Sequence, residues 1–306
     1  MNEETIIGMP PGIGDLHWIM TKLESFKEKN NIEKIKVVMN LDWMTQNNRH
    51  TYSLDYLKLI PFIDSAESKA GVMPFEYALA GGSGTPLLKN LDGCDYLIEF
   101  NSMLEAGMKL EDILPEYDTN FDYPIIRHPG PDEWAEHIKQ SVGGKLAVIF
   151  TASTLGNDIW AHKLWIPRDW MELAKKIYNE TKCKLVLVGG EWDKDYARRL
   201  CQFDHDKIIY NIVGQSSVNQ LFALLRIANV VVAYQCGVMM MAIHFRTPAA
   251  AFWPIKTKAN PVGQFKREFM RSWLPPWAEE VGYHPFGFGD PDATPDGIFA
   301  SIRRYL

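Results

Sequence analysis

Three corners of the chain place glycine beside groups able to hold an anion or move a proton: Gly12-Ile13-Gly14-Asp15, Gly189-Gly190-Glu191 and Gln235-Cys236-Gly237. Each follows a short apolar run and precedes a helical pattern. A strand, a glycine turn and a helix N-terminus leave unpaired backbone N–H groups aimed at one spot, and the helix dipole adds positive potential there. Such corners suit phosphate or carboxylate groups, and Asp15 adds a carboxylate at the mouth of the first strand. Glycines that only tighten turns, and an aspartate that caps a helix beginning at Leu16, account for the same residues.

The elements that must position these corners follow from periodicity. Leu185–Val188, Val230–Ala233 and Ala249–Trp253 are short apolar runs of the kind found in buried parallel strands. Residues 5–9, 35–40, 94–100 and 145–153 read as further strands, with 123–126 as one more. Between them, Leu16, Ile19, Met20, Leu23 and Phe26 recur at helical spacing, as do Trp170, Leu173, Ala174 and Ile177 behind Pro167. A short helix is expected around Tyr52–Leu59, a longer one over 101–117, and a last one capped by Thr294 with Pro295 at its first position. Pro and Gly flank a helical piece within 127–145, which is read as the hinge. The fold class is therefore α/β: two Rossmann-like doubly wound domains, 1–140 and 141–306, facing each other across a cleft, with the final helix packing back on the N-terminal domain.

At 306 residues and 46% hydrophobic content the chain can bury a sizeable core. A net charge of −6 argues against bulk electrostatic capture of nucleic acid. The cysteines Cys94, Cys183, Cys201 and Cys236 form no C-x-x-C pair, which excludes a disulfide framework and points to a reducing, cytoplasmic setting. No apolar run has the length of a membrane span, and the N-terminus does not read as a signal peptide. Asp193-Lys194-Asp195 and Asp204-His205-Asp206 have a D-x-D outline, but each lies in a charged stretch where the pattern arises by chance, so no metal is expected.

The order of several blocks resembles glycosyltransferase family 9, the ADP-heptose:lipopolysaccharide heptosyltransferases of the GT-B fold. Gly12-Ile13-Gly14-Asp15 is similar to the family's opening G-x-G-D loop. Thr151-Ala152-Ser153 followed by Lys163-Leu164-Trp165-Ile166-Pro167 through Trp170 resembles K-x-W-P-x-x-x-W with one extra residue. Leu185–Gly190 matches the strand leading to a double glycine, and Gly214-Gln215-Ser216-Ser217 matches a helix start. Gln235-Cys236-Gly237 through Pro248 matches the last block, yet the family's Asp, Ser/Thr and His fall on Gln235, Cys236 and Met240. The region 40–140 carries no matching residues.

The resemblance implies an enzyme that moves a sugar from a nucleotide-sugar donor to an acceptor hydroxyl on a glycan or lipid-linked saccharide. It implies metal-independent, inverting single displacement, with the C-terminal domain on the donor side and the N-terminal domain on the acceptor side. Asp15 becomes the base and Lys163 the charge facing the leaving diphosphate. Gly14, Ser153, Thr154, Gly189, Glu191, Gln215, Ser216, Gln235, Cys236 and Gly237 become the donor set, with Glu191 and the Gln215-Ser216 pair at ribose and base. His17 and Trp18, beside Asp15, become acceptor-side residues. Taken alone, Lys163 reads as a solvated lysine, Glu191 as a loop carboxylate and Trp18 as core. Two other classes remain. A DNA-base glycosyltransferase would use the basic stretch Lys256–Arg271, with Phe265, Phe269 and Trp273 nearby. A non-catalytic nucleotide-sugar-binding protein would explain the changes at 235, 236 and 240.

Overall fold

The computed structural model describes residues 4–40, 49–69, 86–91, 93–100, 103, 107–151, 165–253, 267–287 and 290–306. In chain order the elements are β1 (Glu4–Met9), α1 (Ile13–Lys29), β2 (Lys34–Asn40), α2 (Arg49–Leu57), β3 (Ser65–Lys69), β4 (Leu87–Leu91) and β5 (Cys94–Ile98). There follow α3 (Pro129–Ser141), β6 (Ala147–Phe150), α4 (Pro167–Thr181), β7 (Leu185–Val188), α5 (Lys194–Cys201), β8 (Ile209–Asn211) and α6 (Val218–Ile227). The chain closes with β9 (Val230–Tyr234), α7 (Gly237–His244), β10 (Ala249–Trp253), α8 (Arg267–Ser272), β11 (Tyr283–Gly287) and α9 (Pro295–Ile302).

Two compact units result, Met1–Arg127 with Phe265–Leu274, and His128–Gln264 with Pro275–Leu306. The division falls at 127/128 rather than at 140/141, because α3 packs on α6 of the second unit. The final helix also departs from expectation: α9 lies against α4 and β10 of its own unit. The C-terminal piece that joins the first unit is 265–274. There Trp273, fully buried, packs edge-on against Trp18 at 4.9 Å and donates from Nε1 to the Met108 carbonyl at 2.7 Å.

The first unit holds a five-stranded sheet in the order β3-β2-β1-β5-β4, parallel except for β4 against β5. The second holds a six-stranded, wholly parallel sheet, β11-β10-β9-β6-β7-β8. Strands β6, β7, β9 and β10 are buried along their whole length, as parallel strands covered on both faces must be. In each sheet the strand order reverses at one place, beside β1 in the first and between β6 and β9 in the second. Ligands of doubly wound sheets collect at such switch points, outside the carboxyl ends of the strands.

Local chemistry sets the element ends. Leu16, Ile19, Met20, Leu23 and Phe26 are all buried on α1, as their spacing predicts. Helix α4 begins with Pro167, and Asp169 Oδ2 accepts from the Ile166 N–H at 2.9 Å. Thr294 caps α9 by accepting from the Gly297 N–H at 3.1 Å. Two expected elements are absent among the described residues. Residues 107–117 form a short 3-10 turn, Leu110–Asp112, instead of a continuous helix, and Leu114 follows in a left-handed conformation (φ 49°). Residues 123–126 join no sheet. The Gly-rich run Ala-Gly-Gly-Ser-Gly-Thr-Pro at 80–86, which reads as a linker, lies outside the described residues except for Pro86.

Candidate functional site

In the first unit β1 leads through Pro10 and Pro11 into Gly12, the N-cap of α1, so the helix starts at Ile13 and not at Leu16. Asp15 is therefore the third helical residue, not the cap. Its carboxylate folds back over the loop: a Cβ added at Gly12 would stand 2.6 Å from Asp15 Oδ2. Gly12, Ile13, Gly14 and Asp15 remain partly exposed, whereas Met9, Pro10 and Pro11 before them and Leu16 to Leu23 after them are buried. A carboxylate at this position is favoured by the helix dipole and remains partly exposed.

Gly12 has φ −82° and ψ 131°, which any residue can adopt, so a substitution there acts through contact alone. Gly12→Ala is expected to push the Asp15 carboxylate aside, which a crystal structure of the variant would check.

His17 and Trp18 do not face an acceptor. Both are 1% exposed in the core of the first unit. His17 Nδ1 shares a hydrogen bond with the Tyr123 hydroxyl at 2.6 Å, and Trp18 packs against Trp273. A carboxylate that spacing did not single out stands at the same switch point. Glu99 follows the last residue of β5, is 5% exposed, and donates its N–H to the Pro86 carbonyl. The run CDYLIEF contained it, but the residue reads there as a strand end.

In the second unit the glycine pair after β7 tightens a turn. The Gly190 N–H donates to Asp193 Oδ2 at 2.9 Å, and the Gly189 carbonyl accepts from the Gly214 N–H at 2.9 Å. A Cβ on Gly189 would lie 2.9 Å from Asp193 Oδ2, and one on Gly190 would run into the Trp192 ring. This corner thus ties the loop after β7 to the loop after β8, and the N–H expected for an anion is engaged by Asp193. The tie brings named residues together. Glu191 Oε1 would stand 2.9 Å from a Cβ on Gly214, beside the exposed Gln215 and the buried Ser216, and Glu191 pairs with Lys194 at 2.7 Å. Ser217 closes a capping box with Gln220 and starts α6, the local reason for two serines in succession.

The corner after β9 is different. Gln235, Cys236, Gly237 and Val238 are all partly exposed at the carboxyl end of a strand beside the switch point. Cys236 is the N-cap of α7 in extended conformation (φ −170°). Burial of its sulfur pushes the thiol up to about 12, and the Met239 and Val238 N–H groups pull the other way. Met240, at the position of the family's His, is 1% exposed and belongs to the core.

Lys163, Ser153 and Thr154 lie outside the described residues, as does the basic stretch from Lys256 to Lys266. The end of the Lys163–Trp170 block is described. Trp165 donates its backbone N–H to the Tyr234 hydroxyl at 2.8 Å and its Nε1 to the Ala293 carbonyl at 2.9 Å, and its own carbonyl accepts from the Tyr196 hydroxyl at 3.1 Å. Among the described residues no group of three or more His, Cys, Asp or Glu could hold a metal ion. The two D-x-D carboxylate pairs are engaged otherwise: Asp204 accepts from the Ile208 and Ile209 N–H groups, Asp193 from Gly190, Asp195 pairs with Arg198, and Asp206 with Lys175. No described helix is long and apolar enough to cross a membrane.

No curated protein sequence matches the chain. The family model for Glycosyltransferase family 9 (heptosyltransferase) matches residues 116–258. Among solved structures, the E. coli ADP-heptose lps heptosyltransferase II aligns with TM-score 0.62 and 13% identity, over 98% of this chain and 98% of that one. A family 9 glycosyl transferase from Veillonella parvula gives 0.60 and 13%, over 99% and 90%. An E. coli heptosyltransferase with ADP gives 0.54 and 12%, over 99% and 100%. At such identities the structures speak for the fold, and the family model speaks for the activity. The chain is a glycosyltransferase of the GT-B fold, similar over residues 116–258 to family 9.

Proposed function

We propose that the protein moves a sugar from a nucleotide-sugar donor to a hydroxyl of a glycan or lipid-linked saccharide, with inversion, in a single metal-independent displacement. The observation that carries this reading is the placement of Asp15: a partly exposed carboxylate on the first turn of α1, at the switch point of the first sheet. As base it takes the acceptor proton while the hydroxyl oxygen attacks the sugar carbon and the bond to the diphosphate breaks. For the departing diphosphate the second unit offers the N-terminus of α7, where the backbone N–H groups after Gly237 and the helix dipole favour negative charge, and Lys163 is proposed as its cation.

A structurally similar heptosyltransferase is held with ADP, which supports a nucleoside diphosphate as the leaving group here. Glu191, Gln215 and Ser216 are placed on its nucleoside, and Gln235 and Cys236 on the transferred part. Uncharged Gln235 and Cys236, with Met240 withdrawn into the core, favour a donor other than ADP-heptose. A thermal-shift panel of nucleoside diphosphates and their sugars, with and without magnesium, tests the reading. One nucleoside diphosphate at 100 times its Kd is expected to add about 2.7 kcal/mol of stability, indifferent to magnesium. Silence across the panel would overturn donor binding and favour a pocket disabled by the changes at Gln235, Cys236 and Met240.

A further inference from the structure

The loop that bears Asp15 is gripped from behind by α2. Ser53, 2% exposed, donates its hydroxyl to the Pro11 carbonyl at 2.5 Å, immediately before the N-cap of α1. One turn further along the same face, Tyr56 is fully buried and its hydroxyl meets that of Tyr123 at 2.6 Å. Tyr123 in turn meets His17 Nδ1 at 2.6 Å, two residues beyond Asp15. Both ends of the turn from Pro11 to His17 are thus held from one helix.

Tyr123 is itself fixed on both sides. The Asn120 N–H donates to the Thr21 carbonyl on α1 at 2.6 Å, and the Ile126 N–H to the Leu59 carbonyl just past α2 at 2.8 Å. Upstream, the buried Lys22 holds the Leu114 and Tyr117 carbonyls at 3.3 and 3.0 Å. Burial raises both tyrosine hydroxyls above their ordinary range, so they remain protonated and the chain of hydrogen bonds persists through neutral and mildly alkaline pH.

We infer that Ser53, Tyr56, Tyr123 and His17 are positioning residues that set the Asp15 carboxylate against the acceptor hydroxyl. The inference rests on Asp15 being the base. A misplacement of about 1 Å in such a group costs on the order of a hundredfold in rate, and buried polar networks of this kind specify one geometry when every member is satisfied.

The test is a cycle on the full chain of Ser53→Ala, Ser53→Thr, Asp15→Asn and the Asp15→Asn/Ser53→Ala double variant, read as kcat, donor KM and nucleoside diphosphate Kd. Ser53→Ala is expected to lower kcat by about 10- to 100-fold, with donor KM and Kd within twofold, and Ser53→Thr to restore it. In the Asp15→Asn background the same change should alter residual turnover by less than about twofold, because residues acting as a unit are not additive. Should Ser53→Ala fail to fold, Tyr56→Phe, which removes only the terminal hydroxyl of the chain, must give the same split. An unchanged kcat, or an equal loss in both backgrounds, overturns the inference while Asp15 stands as base. Full turnover in Asp15→Asn alone overturns the base assignment and the inference with it.

Discussion

Asp15→Asn is expected to lower kcat by about 10²- to 10⁴-fold, the range that a positioned general base contributes, and to leave nucleoside diphosphate affinity within twofold. The amide keeps the size and planarity of the carboxylate and cannot take a proton. The local fold should tolerate it: Gly12, not Asp15, is the N-cap, and Leu16 donates its N–H to the Gly12 carbonyl at 2.9 Å whatever stands at 15. Loss of a favourable charge at the helix N-terminus costs only about 0.3–1 kcal/mol. Because Asp15 lies in the first unit and the proposed nucleotide contacts in the second, binding and turnover should separate. Equal losses in both, or retained turnover, would remove Asp15 from the chemistry.

Trp170→Ala carries the largest expected effect on stability, a loss of about 3–5 kcal/mol for the second unit. Trp170 is fully buried on α4 and packs edge-on against Trp165 at 4.9 Å, with Tyr234 at 5.7 Å and Phe252 at 6.0 Å. Removing the indole opens a cavity under the carboxyl ends of β9 and β10, and takes away the surface on which Trp165 rests. Chemical denaturation should show a lower midpoint. Trp170→Phe, which refills most of that volume, should recover at least half of the loss. A variant as stable as the parent would mean that the cluster repacks, and that the tryptophan of the Lys163–Trp170 block needs no such floor.

What the sequence disclosed tracks how local the cause was. The buried faces of α1 and α4 and the strands at 185–188, 230–234 and 249–253 were legible because burial on both sides writes continuous apolar runs. β3, Ser-Ala-Glu-Ser-Lys, was not, since an edge strand held by backbone pairing to β2 needs no apolar pattern. The three glycine corners do follow strands β1, β7 and β9, but what their residues contact is not all local. Nothing in Gly189-Gly190 announces that Asp193 takes the N–H. His17 looked like a neighbour of Asp15, yet two residues along a helix rotate a side chain by about 200°, into the core. Placing the helix start three residues late hid that phase. Ser53, Tyr56 and Tyr123 could not have been picked out, because what matters about them is a partner 42, 67 or 106 positions away.

The return of residues 265–274 to the first unit has a consequence for biosynthesis. A chain emerging from the ribosome has made β1 to β5, and then β6 to β10, before Trp273 exists. Until then Trp18, Phe100 and the Met108 carbonyl have no Trp273 to close over them. At 5–20 residues per second the interval between the end of the first segment and its missing piece is on the order of ten seconds. The half of the protein translated first is therefore the half completed later, and its exposed aromatic seam is what a chaperone would meet in the meantime.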